Sequence, residues 1–121
     1  MNVMTRKMIL VVDDNKAIRQ ILYEYLVIHD FDVITAEDGS HAQFETDRHP
    51  EIDLIVSDIE MPNMSGLQLL DKLRRQGNQI PLILMSGNFE SHQIPPGIVT
   101  FKKPIDLKGL LEQIEKLLGE Y

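Results

Sequence analysis

The chain of 121 residues contains no cysteine. That excludes disulfides and every cysteine-ligated metal site. It also lacks a long apolar run. The longest unbroken one, Met8 to Val12, has five residues, far short of the roughly 20 that a membrane-crossing helix needs. Met1 to Lys7 lacks the apolar stretch of a signal peptide, so a cytoplasmic location and no membrane partner are expected. Positive charge is scarce as well. Twelve Lys and Arg stand against 19 Asp and Glu, giving a net charge of −7 at pH 7. Nonspecific nucleic-acid binding rests on basic side chains neutralising phosphates, so no nucleic-acid partner is expected. Repeats, low-complexity segments and internal linkers are also missing. What remains is 43% hydrophobic and 26% charged, an ordinary globular composition. Its length suits one domain, 1–121, with one core.

The hydrophobic pattern alternates between two periods. Lys7–Val12 reads as a first strand that stops at Asp13-Asp14. Asn15 is placed to cap a helix running to about His29, with Ile18, Leu22, Tyr25 and Leu26 at helical spacing. Asp32–Ala36 reads as a second strand. Asp38-Gly39 marks a turn, and Ser40 is expected to cap a short helix holding Ala42 and Phe44. His49-Pro50 ends that helix, because the residue before proline avoids the helical region. Leu54–Ser57 is the third strand. Ser65 is expected to cap a third helix with Leu67, Leu70 and Leu73 inward, closed at Gln76-Gly77-Asn78. Ile80–Met85 is the fourth strand, with Pro81 tolerable only near its start. Gly87–Gly97 is poor in helix signals and contains Pro95-Pro96, so one or two helical turns at most are expected between Phe89 and Gln93. Ile98–Lys102 is the fifth strand. Asp106 is expected to cap a last helix with Leu107, Leu110, Leu111, Ile114, Leu117 and Leu118 on one face.

Strands that are apolar almost throughout, alternating with helices, imply a parallel sheet covered on both faces. With right-handed crossovers, the expected architecture is α/β and doubly wound: a flavodoxin-like, five-stranded parallel sheet in the order 2-1-3-4-5, with a shortened fourth helix. Ligands of such sheets sit beyond the carboxyl ends of the strands, where the strand order switches.

The chemically informative residues fall at those ends. Asp13 and Asp14 follow strand one, Asp58 ends strand three, Ser86 ends strand four and Lys103 follows strand five. Asp58 lies 44 residues after Asp14, but adjacency of strands one and three would bring them together. At about 5 Å and an effective dielectric near 20, each carboxylate pair costs roughly 3 kcal/mol, so the trio costs on the order of 10. That rivals the whole stability of a domain. Protonation of one acid or the charge of Lys103 would offset part of it. A divalent cation is the better answer, and an all-oxygen site favours magnesium, with manganese as the alternative, over zinc. One carboxylate can then act as a nucleophile toward phosphorus and form an acyl phosphate. Phosphoryl transfer needs positioning and charge neutralisation, which Lys103 and the Ser86 hydroxyl can supply. No base is required, since a carboxylate is already ionised at neutral pH. A cis bond at Lys103-Pro104 would aim the lysine into the site; equally, Pro104 could be a simple strand stop. His29, His41, His49 and His92 are scattered and expected to be exposed, and Lys72, Arg74 and Arg75 to form a solvated helix face.

Several stretches together carry a resemblance: Val12-Asp13-Asp14-Asn15, Asp38-Gly39, Asp53 to Asp58, Met61-Pro62-Asn63-Met64-Ser65-Gly66, Met85-Ser86-Gly87 and Lys103-Pro104. In order and spacing the chain resembles the receiver domain of two-component response regulators, from Met8 to about Leu118. The resemblance implies that Asp58 accepts a phosphoryl group from a histidine kinase or histidine phosphotransferase. It implies that Asp13, Asp14, Asp58 and the backbone carbonyl of Glu60 hold magnesium. Ser86 is then the switch hydroxyl and Lys103 the phosphate-binding lysine. Such domains catalyse their own phosphorylation and commonly their own dephosphorylation, so the chain is expected to be a signalling phosphoacceptor rather than an enzyme with a separate substrate.

The sequence departs from that family pattern in three places. Thr100 stands where an aromatic switch residue is usual, and alternation places Phe101 on the other side of the strand. Ser86 and Lys103 are 17 residues apart, fewer than is usual, and the shortfall lies in the fourth-helix region. Glu60 and Asn88 stand at positions that, as the resemblance implies, the family varies to tune how fast the phosphoryl group is lost. Because only three residues follow Leu118, output through an unidentified protein partner is expected, as a stand-alone switch, a relay shuttle or a receiver cut from a longer protein. The alternatives are a phosphate-independent interaction module and, behind it, an aspartyl-phosphate phosphatase. Adjacent acids and the lack of a substrate cap count against the phosphatase. An acidic loop after strand one counts against a flavin-binding protein.

Overall fold

A computed structural model of the chain describes residues 6–119. The expected limits of 1–121 therefore include residues 1–5 and 120–121, which lie outside the described residues. The elements are β1 (Met8–Val12), α1 (Lys16–Ile28), β2 (Asp32–Ala36), α2 (Gly39–Arg48), β3 (Ile52–Asp58), α3 (Gly66–Arg75), β4 (Leu82–Ser86), β5 (Val99–Lys102) and α4 (Leu107–Leu117). Between β4 and β5 there is one 3-10 turn, Phe89–Ser91, where the alternation would otherwise place a helix. All strand pairs are parallel, in the order β2-β1-β3-β4-β5.

Period-two alternation splits the core between the two faces of the sheet. Leu10, Val12, Ile55 and Leu84 pack with Ala42 of α2 and Leu69, Leu70 and Leu73 of α3. Ile9, Val11, Leu54, Val56, Ile83 and Met85 pack with Leu22 and Leu26 of α1 and Leu110 and Ile114 of α4. Both faces are covered, so the central strands tolerate no polar alternation, and their sequences read as continuous apolar runs. No helix among the described residues is long and apolar enough to cross a membrane.

The structure corrects several local expectations. Asp38, not Ser40, caps α2: its carboxylate accepts from the His41 N–H at 2.8 Å, and Ser40 lies inside the helix. That hydrogen bond is the main reason the Asp38 carboxyl is held below its ordinary range, with Asn63 adding to it against the effect of burial. Phe44 is 55% exposed, with the Arg48 guanidinium over its ring, because Ala42, Gln43 and Thr46 take the buried positions of this polar helix. In α3 the buried set is Leu69, Leu70 and Leu73, and Leu67 is only half-buried at the edge. Asp106 precedes α4 without a side-chain capping bond, and Leu117 is exposed. β3 is longer than expected, since Ile52 and Asp53 join it and Asp58 is its last residue. Asp53 gains a role there, its carboxylate accepting from the Met8 N–H at 2.8 Å. Lys7, Ile80, Pro81 and Ile98 fall just outside the strands.

Gly66 sets the loop after β3. Its N–H donates to the Ile59 carbonyl at 3.0 Å, and a Cβ on it would lie 2.3 Å from the Asp58 carbonyl oxygen. The turn is thereby pressed against the end of the strand that carries Asp58. Gly66→Ala is expected to destabilise the fold by about 1–3 kcal/mol, since backbone must shift to admit the methyl group. A lower urea midpoint at unchanged slope would show it; an unchanged midpoint would mean that the loop gives way freely.

Candidate functional site

The parallel register brings the expected residues to one end of the sheet. Val12 pairs with Ser57, which places Asp13 beside Asp58. Ser86 pairs with Lys102, and the Lys103 N–H donates to the Ser86 carbonyl at 2.9 Å. The Lys103-Pro104 bond is cis.

Asp13 is fully buried. One of its oxygens accepts from the Asn15 N–H and the other from Lys103 Nζ, both at 2.9 Å. Arg19 donates to its carbonyl at 2.8 Å, tying α1 to the same turn. Asp58 is 3% exposed. Its Oδ2 lies 3.2 Å from Lys103 Nζ, while its Oδ1 is buried with no hydrogen-bond partner among the described residues. Burial first, and then the neighbouring charge of Asp13, push the Asp58 carboxyl up to about 6, with Lys103 working against both. Burial opposes the charge on Lys103. Its hydrogen bond to Asp13 and the charges of Asp13 and Asp58 outweigh that, so its ammonium is held above its ordinary range.

Asp14 is exposed. It nevertheless offers an oxygen that lies with those of Asp13 and Asp58 inside a mutual distance of 4.8 Å. Three clustered carboxylates, with an unpartnered buried oxygen on Asp58, suit a hard divalent cation that takes oxygen ligands. Among the described residues Lys103 is the one cation paired with these carboxylates, and it leaves the trio net negative, a setting that favours a bound cation.

Ser86 is fully buried, and its hydroxyl is already engaged. It donates to the Glu60 carboxylate, with the two oxygens at 2.8 and 3.0 Å, and accepts from the Asn88 N–H at 2.9 Å. The same carboxylate is hydrogen-bonded to His92 Nε2. His92 is therefore half-buried beside the site rather than exposed. A separation of 32 residues and an irregular intervening segment carry no sequence signal for that contact. On β5, Thr100 is exposed and Phe101 packs into the core on the α1 and α4 face, as alternation predicts.

The comparisons with known proteins agree with this geometry. Residues 9–115 match the family described as the response regulator receiver domain. The sensor protein EvgS of Escherichia coli K12 is 30% identical over 114 residues, which are 90% of this chain and 9% of EvgS. The response regulator MprA of Mycobacterium leprae is 30% identical over 115 residues, 91% of this chain and 50% of MprA. The chain thus spans half or less of the length of these curated relatives. Among solved structures, the chemotaxis response regulator CheY4 of Vibrio cholerae superposes with a TM-score of 0.84 at 28% identity, covering 94% of this chain and all of that one. A family match across most of the chain, the doubly wound sheet and the acidic cluster at its carboxyl end converge: the chain belongs to the response regulator receiver domain family.

Proposed function

We propose that Asp58 accepts a phosphoryl group from a phosphohistidine on a histidine kinase or histidine phosphotransferase, and that this modification alters a surface read by an output protein. The observation that carries this reading is the state of Asp58. It is a buried carboxylate with one unpartnered oxygen, beside a lysine and two further acids. An Asp58 oxygen forms the new bond to phosphorus while the bond from phosphorus to the imidazole nitrogen breaks. The imidazole leaves with the bonding pair and takes a proton, and Asp58 becomes an acyl phosphate. Lys103 Nζ already points at this carboxylate and is placed to hold a phosphoryl oxygen. Ser86 supplies a hydroxyl donor once it leaves Glu60. Asp13, Asp14, Asp58 and the Glu60 carbonyl would hold magnesium, or manganese, whose charge when bound neutralises the phosphoryl oxygens. Attack of water on phosphorus returns the Asp58 carboxylate and phosphate.

An apolar groove lined by Ile18, Ile21, Leu22, Pro104 and Ile105 opens beside Lys103. Ile21 is 53% exposed there. A donor protein seated on this groove would bring its phosphohistidine over the carboxyl end of the sheet.

Incubation with a small phosphodonor such as phosphoramidate and magnesium tests the reading. The intact mass is expected to rise by one phosphoryl group, the uptake to fall on chelation, and borohydride reduction with peptide sequencing to place the group on Asp58. No gain in mass, or a group located elsewhere, would overturn it.

A further inference from the structure

Resting on Asp58 as phosphoacceptor, we infer that Glu60 and His92 form a clasp that withholds the Ser86 hydroxyl in the unmodified protein and ties the 88–92 turn to the phosphorylation state. His92 is thereby a positioning residue acting through Glu60.

The hydroxyl of Ser86 has one proton to give. It is directed at Glu60, whose two oxygens bracket it at 2.8 and 3.0 Å. A phosphoryl group on Asp58 would need that same proton, so the bond to Glu60 and the bond to phosphate exclude one another. Charge acts in the same direction. An acyl phosphate replaces one negative charge by about two and repels the carboxylate lying beside it. Glu60 already bears on Asp58 in the unmodified site, where its charge adds to those raising the Asp58 carboxyl.

The clasp reaches into a small, self-consistent turn. His92 bonds the same Glu60 oxygen through Nε2, and its own N–H donates to the Phe89 carbonyl at 3.1 Å. The Asn88 N–H donates to Ser86 Oγ at 2.9 Å. The Asn88 side chain accepts from the Glu90 N–H at 3.1 Å and donates to Ser91 Oγ at 3.0 Å. Phe89 packs against the core cluster on the α3 face. The turn is thus fastened to the site at two points, Ser86 Oγ and the Glu60 carboxylate, and both are disturbed if the hydroxyl rotates toward a phosphoryl group. With Thr100 exposed on β5 and no full helix between β4 and β5, this clasp supplies the route by which the site reaches the 88–92 surface.

His92→Ala is expected to speed phosphoryl uptake from phosphoramidate with magnesium by about tenfold, because a hydrogen bond to a charged group that holds Ser86 back is lost. In unmodified His92→Ala, the amides of Asn88, Glu90 and the residue at position 92 are expected to exchange with deuterium about tenfold faster. His92→Gln, which keeps a side-chain N–H, should return both values toward wild type. In a Glu60→Ala background, His92→Ala should change the uptake rate no further, since the two act as one unit. Phosphorylating the wild type should itself accelerate exchange at the same three amides. Unchanged exchange and uptake in His92→Ala, or an effect that persists undiminished without Glu60, would overturn the clasp. If the wild type takes up no phosphoryl group, the acceptor reading and the release step fall together. Exchange in the unmodified variants then decides separately whether Glu60 and His92 hold the turn.

Discussion

Asp58→Asn is expected to take up no phosphoryl group and yet to unfold at a higher temperature than the wild type. An amide oxygen is too weak a nucleophile toward phosphorus, so mass gain from phosphoramidate should vanish. The stabilisation follows from the folded carboxyl lying near 6 rather than at its ordinary 3.8. Below about pH 4 the group is protonated in folded and unfolded chains alike, and the substitution should make little difference. Between about pH 4 and 6 the unfolded chain ionises first, so wild-type stability falls as pH rises. Above pH 6 both states are ionised and the loss is complete, roughly 2–3 kcal/mol for a shift of about two units. Asparagine carries no such burden. Without divalent cations at pH 7.5, its melting temperature is expected to be about 5–10 °C higher. Magnesium is expected to narrow the gap, as it would on binding the wild-type carboxylate in the folded state. Thermal melts followed by circular dichroism at pH 7.5 and below about pH 4, with and without magnesium, decide the matter. A variant that melts lower at pH 7.5 would mean that the Lys103 pairing outweighs burial and repulsion together.

Lys103→Met carries the opposite sign in stability and a large loss in chemistry. Lys103 Nζ lies 2.9 Å from Asp13 and 3.2 Å from Asp58, and its side chain is only 22% exposed. Its removal leaves two buried carboxylates facing each other without the neighbouring cation. Breaking such a pair costs about 2–4 kcal/mol after allowance for partial exposure. The folded Lys103 is held above its ordinary 10.5, so its stabilising contribution is complete below that value. It is lost only as pH rises through the higher folded one. At neutral pH the whole contribution is therefore at stake. Phosphoryl uptake should fall about 100-fold, the scale of losing one charged donor aimed at a reacting oxygen. The melting temperature is also expected to become more sensitive to magnesium, because a bound ion would replace the cation that the Asp13 and Asp58 carboxylates have lost. Uptake within a few-fold of wild type would remove Lys103 from the chemistry and leave it a purely structural counterion.

The sequence announced most of the fold because that fold is written in periodic terms. Continuous apolar runs such as Leu54–Val56 mark strands covered on both faces, and the Leu110 and Ile114 spacing marks a helix with one buried side. The site was legible for the same reason. Parallel strands gather their carboxyl ends on one edge, so Asp13, Asp14, Asp58, Ser86 and Lys103 could be brought together from their positions at the ends of runs. Sequence and structure part where two residues are chemically equivalent candidates. Asp38 and Ser40 can both cap a helix, and only the backbone conformation of Asp38 selects it. Phe44 is apolar, but the side of α2 that meets the core is fixed by Ala42 and Thr46, not by hydrophobicity alone.

By itself, then, the sequence determined the architecture, the family resemblance and which residues stand at the carboxyl edge of the sheet, because each depends on local period and strand order. Only the tertiary structure decided the state of those residues. That Asp58 keeps one buried oxygen without a partner, that Lys103 is shared between two aspartates, and that Ser86 is held by Glu60 and through it by His92 all depend on side-chain directions between segments up to 90 residues apart. Such contacts follow from how the loops at the sheet edge pack, and no spacing in the chain encodes them.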